Sequence, residues 1–169
     1  DQLGDENVEF DLQNAAGDAN TCASIVNAFV ASNVDLIMAN ATPALQAAQS
    51  ATGDIPILGT SVTEYGVALD IKDFTGTVGG NVSGTSDLAP LEDQAAMLQE
   101  WFPDAKTVGL LYCSAEPNSK YQVDTVKSLL EAAGITCELF AFADSNDMAA
   151  VTEAACGFAD VIYVPTDNA

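Results

Sequence analysis

Histidine is absent from all 169 residues, which removes the commonest general base and the commonest metal ligand. Positive charge is scarce: 4 basic side chains stand against 25 acidic ones, a formal net charge of −21. Such a surface repels phosphate backbones and anionic lipid, so nucleic acid is not an expected partner. No apolar run reaches the ~18 residues that a membrane-spanning helix needs. No basic segment followed by an apolar one marks a leader, and the first residue is Asp1 rather than Met, which reads as a processed or trimmed start. Cys22, Cys113, Cys137 and Cys156 show no C-x-x-C spacing, so zinc and thiol-redox chemistry lack support. Each falls on an apolar helix or strand position and reads as an unpaired packing residue. G-x-S-x-G, the phosphate loop and G-x-G-x-x-G are all missing. Gly76-Thr77-Val78-Gly79-Gly80 is glycine-rich but lacks the lysine and the preceding strand that a phosphate loop requires. Cys113 stands at a predicted strand end with no histidine or basic neighbour to activate it. Neither a cofactor nor an enzymatic activity is expected.

What is present is a βα alternation on 49% hydrophobic residues, enough for a core. The chain is organised around Gly79-Gly80-Asn81-Val82-Ser83-Gly84-Thr85-Ser86-Asp87, a small, polar, extended stretch with one βα pattern on either side. It reads as a strand crossing between two α/β units, with its glycines able to bend. Residues 1–80 form the expected first lobe and residues 81–169 the second. In the first, Val8-Glu9-Phe10-Asp11-Leu12 alternates as a half-buried edge strand does. A helix follows, with Cys22, Ile25 and Phe29 on one face and Asp18 or Asn20 as its cap. Residues 34–39 read as a buried strand, 44–52 as a helix capped by Thr42 with Pro43 at its start, and 55–60 as a third strand. Residues 61–78 are expected to be loops with a short helix.

In the second lobe, Leu91, Ala95, Leu98 and Phe102 line a helix closed by Pro103, and Trp101 reads as packing rather than ligand stacking. Strands at 107–112, 136–142 and 161–164 alternate with two further helices. One is capped by Asn118 or Ser119 and carries Val123, Val126 and Leu130 inward; the other is capped by Ser145. The first strand lacks a preceding βα partner and the last lacks a following helix, so the chain reads as a piece of a longer protein.

Open α/β sheets bind ligands outside the carboxyl ends of their strands. Four polar clusters fall there: Asn40-Ala41-Thr42, Thr60-Ser61-Val62-Thr63, residues 114–119, and Thr166-Asp167-Asn168. Helix N-termini beside three of them favour a carboxylate, and Asp167 suits an ammonium group, a combination that fits a zwitterionic amino acid. The plainer reading is capping alone, which would account for Thr42, Ser119 and Ser145 but less well for Asn40, Thr63 and Asp167.

One ordered set of short motifs is specific. Asn14-Ala15-Ala16-Gly17-Asp18, Val34-Asp35-Leu36-Ile37, Ala41-Thr42-Pro43-Ala44, Asp54-Ile55-Pro56-Ile57, the crossing stretch from Gly79 to Asp87, and Tyr163-Val164-Pro165-Thr166-Asp167-Asn168 together resemble ABC-transporter substrate-binding proteins of the tryptophan/tyrosine uptake type. The resemblance implies an α/β, two-lobed periplasmic-binding-protein-like fold of type I, with parallel sheets flanked by helices and incomplete at both ends. It implies a protein outside the cytoplasm, membrane-anchored or periplasmic, that closes on a small ligand, aromatic amino acids favoured, and delivers it to an ABC-transporter permease. Its ligand seats would be Ala41, Thr42, Pro43 and Thr63 in the first lobe. In the second they would be Ser86, Asp87, Asn118, Ser119, Asp167 and Asn168. The competing readings are the effector-sensing core of a transcription regulator, for which no basic helix-turn-helix is visible, and a small α/β enzyme using Asp87 or Asp167.

Overall fold

The computed structural model describes Gly4 and residues 7–167. Two three-stranded parallel sheets follow one another along the chain. The first is built from α1 (Ala19–Ala31), β1 (Ile37–Asn40), α2 (Thr42–Ala51), β2 (Ile57–Val62), α3 (Tyr65–Ala68) and β3 (Val82–Ser86), with strand order β1-β2-β3. The second comprises α4 (Leu91–Trp101), β4 (Thr107–Cys113), α5 (Pro117–Ala132), β5 (Thr136–Phe142), α6 (Ser145–Phe158) and β6 (Val161–Tyr163), with strand order β5-β4-β6. Among the described residues, no helix is long and apolar enough to cross a membrane.

The sheets differ in how they are covered. β4 is buried along nearly its whole length because helices lie on both faces. Val108 and Leu110 pack against Val123, Val126 and Leu130 of α5 and against α4, while Leu111 and Cys113 face Met148 and Val151 of α6. Sealing a Val or Leu side chain contributes roughly 1.5–3 kcal/mol, so this double layer is the better-anchored half. Among the described residues, the first sheet is covered on one face only. Ile37, Ala39, Ile57 and Val82 meet Val26, Leu45 and Ala48 from α1 and α2. On its opposite face Met38 is 71% exposed, with Leu36 and Leu58 also in solvent. The strand expected to be buried at 34–39 is therefore half-exposed, because no described element lies over that face.

Residues 8–12 form no strand. Phe10 and Leu12 are 86% and 94% exposed. The alternation is present, but no described strand lies beside it to accept its backbone bonds. β3 hydrogen-bonds to β2 over Ile57↔Val82, Leu58↔Ser83 and Gly59↔Gly84. Residues 82–86 thus complete the first sheet, and the passage to the second unit follows them at 87–90. Gly84 is held in the ladder under Tyr65, whose hydroxyl donates to the Thr85 carbonyl at 3.2 Å. Beyond Gly59 the β2–β3 register shifts, with Ser61 at φ +52°, and this turns Val62 into the core.

Candidate functional site

In the second sheet β4 lies at the centre, with β5 on one side and β6 on the other, so the chain reverses direction of winding at β4. The crevice outside its carboxyl end is where such a sheet offers room for a ligand. Three segments converge there. α5 starts at Pro117, which pre-sets the helical φ. Its inward face opens with polar residues, Asn118, Ser119 and Gln122, before turning apolar at Val123 and Val126; all five are buried. The Ser119 hydroxyl donates to Asp167 Oδ2 at 2.6 Å, and the Cys113 backbone N–H donates to the same oxygen at 3.1 Å. Asp167 is thereby fixed against both β4 and α5. Asn118 Nδ2 donates to Glu116 Oε2 at 3.2 Å, while Asn118 Oδ1 is enclosed with no hydrogen-bond partner.

The first unit presents its own cluster. α2 begins directly after β1, and Ala41 makes the turn at φ 78°, ψ 160°, a region that non-glycine residues rarely enter and that costs of order 1–3 kcal/mol. Thr42 is the first residue of the helix and Pro43 the second, so the cap position is Ala41 and carries no capping side chain. Thr42 is buried and its Oγ1 has no partner. Thr63 is buried at the end of β2, and its carbonyl accepts the Ser86 hydroxyl at 2.7 Å. The Asp87 backbone N–H donates to the Val62 carbonyl at 3.1 Å, and its side chain is exposed. Burial pushes the Tyr65 phenol up, with the Asp87 charge adding to the shift.

Thr63 and Ser86 are therefore brought together, as are Asn118, Ser119 and Asp167. Asn168 lies outside the described residues. The capping reading fails for each residue it was meant to explain. Thr42 and Ser119 lie inside their helices, the cap position of α5 is Glu116, whose side chain bonds Asn118 Nδ2 rather than a capped backbone N–H, and Asp144 rather than Ser145 caps α6. Gln122 and Tyr65 escaped the sequence reading. The signal for Gln122 was a polar residue on the inward stripe beside Val123, one turn after Asn118 and Ser119.

Cys113 has its thiol pushed up by burial, with the Asp167 and Glu116 charges acting in the same direction, which opposes a thiolate nucleophile. All four cysteines are free thiols. No group of acidic or cysteine side chains among the described residues could hold a metal ion. Trp101 is 65% exposed. A cleft of about 410 Å³ opens between the α3 region and Tyr121 of α5, with Glu64 and Phe74 in its wall. It contains none of the polar seats, and the Glu64 carboxylate is occupied in capping α3 through the N–H groups of Gly66 and Val67.

Residues 2–169 match the family model for ABC transporter substrate binding proteins. A curated tyrosine-binding protein of Clostridioides difficile is 38% identical over 163 residues, 96% of this chain and 47% of its own length. An ABC domain from Streptococcus pneumoniae, solved in complex with L-Trp, superimposes with a TM-score of 0.91 at 37% identity, over 98% of this chain and 56% of that one. A substrate-binding protein with adhesive properties from Clostridium difficile, in its ligand-free, open structure, is 41% identical over the same shares but superimposes at 0.64. The leucine-binding protein of Thermotoga maritima, 17% identical with a TM-score of 0.74, shares the fold. The chain spans about half the length of the relatives it matches. The resemblance carried by the ordered motifs is thus borne out: the chain belongs to the family of ABC transporter substrate-binding proteins.

Proposed function

We propose that this chain supplies facing seats for a zwitterionic amino acid, with an aromatic side chain favoured, which the whole protein passes to an ABC-transporter permease outside the cytoplasm, from a membrane-anchored or periplasmic position. The observation that carries this reading is a pair of atoms. Thr42 Oγ1 and Asn118 Oδ1 are the buried side-chain polar atoms among the described residues that have no hydrogen-bond partner. Leaving such a group unsatisfied costs about 1–3 kcal/mol. One belongs to each unit, and both belong to residues that the family resemblance gives as ligand seats. The strained backbone of Ala41 beside Thr42 points the same way, since strain of this kind collects where a ligand is held.

The charges suit the ligand. Of the four basic residues, Lys120 and Lys127 are paired with Asp124 and Glu131 on the outside of α5, Lys106 precedes β4, at the opposite end from the crevice, and Lys72 lies in the wall of the cleft beside α3. In this reading the ligand's carboxylate is taken up by the N-terminus of α2 and the Thr42 hydroxyl. Asp167, oriented by Ser119 and Cys113, takes the ammonium. Thr63, Ser86 and Asp87 close the first-unit side, Ala41 and Pro43 shape it, and Asn168 extends the second-unit seat. The β1-β2-β3 order supports a division between lobes after Ser86 rather than the expected one between residues 80 and 81. The better superposition on the L-Trp complex than on the ligand-free, open relative supports lobes disposed as in a ligand-bound protein. The tyrosine-binding relative supports the aromatic class.

Titration calorimetry of the full natural polypeptide against L-tryptophan, L-tyrosine, L-phenylalanine, L-leucine and L-glutamate tests this. Saturable binding of the aromatic members, lost in Asp167→Ala, is the expected result. Binding of none of the five, or binding indifferent to Asp167, would overturn it.

A further inference from the structure

β6 pairs with β4 only as far as Leu110↔Tyr163, after which the last described residues leave the ladder. Side chains then take over the role of the missing strand. Asp167 Oδ2 accepts the Cys113 N–H from β4. Gln122, wholly buried on α5, engages Thr166 in both directions: its Nε2 donates to the Thr166 carbonyl at 2.8 Å, and its Oε1 accepts the Thr166 N–H at 3.2 Å. A carboxamide carries one donor group and one acceptor, as a peptide unit does, so it can replace a neighbouring strand at one residue. Nε2 also donates to the Asn118 carbonyl one turn earlier, which fixes the amide's orientation.

We propose that Gln122 is a positioning residue for ligand binding: by clamping the Thr166 backbone it sets the Asp167 carboxylate against Ser119 and so aligns the seat for the ligand's ammonium group. The inference rests on the site reading given under the proposed function. Thr166 itself is exposed and its bonds to Gln122 are partly buried. Without Gln122 the Thr166 backbone loses both of these bonds. The clamp requires both halves of the amide. Methionine, close to glutamine in volume, keeps the packing and removes both bonds. Glutamate keeps an acceptor for the Thr166 N–H but sets a carboxylate against the Thr166 carbonyl.

Gln122→Met and Gln122→Glu are compared with wild type in the full natural polypeptide by two readouts. The first is hydrogen exchange at the Thr166 amide, which reports the clamp without ligand. The second is affinity for L-tryptophan and L-tyrosine against their desamino analogues, which keep the side chain and carboxylate and carry hydrogen in place of the ammonium. The expected result is faster Thr166 exchange in Gln122→Met, roughly tenfold or greater loss of affinity for the amino acids, and a loss below about threefold for the analogues. Adding Gln122→Met to Asp167→Asn should weaken amino-acid binding little further. Thr166 exchange equal to wild type in Gln122→Met, or equal losses on amino acids and analogues, would overturn the assignment. A wild-type protein that binds amino acid and analogue alike, or neither, would instead overturn the site reading, and this inference with it. Should Gln122→Met fail to fold, Gln122→Glu decides by the same two readouts.

Discussion

Gly59 and Gly84 sit side by side in the β2–β3 ladder, and Tyr65 lies across both. A Cβ on Gly84 would stand 2.2 Å from the Gly59 carbonyl oxygen, 2.2 Å from the Tyr65 hydroxyl and 2.8 Å from the Gly59 nitrogen. Two of these neighbours are backbone, so Gly84→Ala has to push the strands apart. Overpacking costs about 1–3 kcal/mol, and each ladder bond lost adds about 1 kcal/mol. The sum is roughly 2–5 kcal/mol, or a fall of roughly 5–20 °C in melting temperature for a domain of this size. For Gly59→Ala the three nearest atoms are all of the Tyr65 side chain, the hydroxyl at 2.3 Å and two ring carbons at 3.1 and 3.2 Å. Tyr65→Phe should therefore recover part of the loss in Gly59→Ala, with a coupling of about 1 kcal/mol or more, and a smaller share in Gly84→Ala, where the contacts with the Gly59 backbone remain. Gly76→Ala is the control: its φ is +89° but nothing lies within 4 Å, leaving only the left-handed cost of about 1–2 kcal/mol. Urea unfolding of these variants reads all the terms. Equal costs for Gly84→Ala and Gly76→Ala, or equal rescue of both strand glycines by Tyr65→Phe, would refute the packing argument.

Ala41→Gly should relieve the strained turn and stabilise the ligand-free protein by about 1 kcal/mol, with the gain in strain partly offset by glycine's backbone entropy; a lower denaturation midpoint would contradict this. Asp160 accepts the Lys106 and Thr107 N–H groups and the Thr107 hydroxyl, which holds its carboxyl below the usual range. Because the folded value is depressed, its contribution is complete above the unfolded value of about 3.9 and is lost as pH falls through the folded value. The stability difference between wild type and Asp160→Asn should be constant at neutral pH and vanish in acid unfolding below that range. Alkylation in the native state should label exposed Cys156 first, with Cys22, Cys113 and Cys137 protected by burial that also raises their thiols. Rapid labelling of all four without denaturant would refute the packing assigned to them.

The parallel α/β alternation and most helix positions were legible because each helix carries its own stripe and its own stop. α4 is one case, with Leu91, Ala95 and Leu98 all buried. Residues 8–12 were misread because alternation reports a face only when a neighbouring strand makes one. The chain at 34–39 was misread for a related reason: an apolar strand looks doubly buried in sequence, whereas Met38 has nothing described above it. At the site, residue type located the clusters, but not the roles within them. Thr42 before Pro43 has the pattern of a cap, and only the turn at Ala41 moves it one position into the helix, where its hydroxyl loses the capping bond. The partnership of Ser119 with Asp167 spans 48 positions, and that of Gln122 with Thr166 spans 44. Local pattern does not encode such pairs; they arise from the β5-β4-β6 order, which returns the chain to the end of β4.

Thr42→Val gives the most direct test of the claim that an enclosed, partnerless hydroxyl is kept for a ligand. Valine preserves the shape and removes the unsatisfied oxygen. The account predicts opposite signs in two experiments on one variant. The ligand-free protein should become more stable by about 1–3 kcal/mol, and affinity for L-tryptophan or L-tyrosine should fall by roughly tenfold. A ligand-free protein destabilised by Thr42→Val, or one that binds its amino acid as tightly as wild type, would contradict the account.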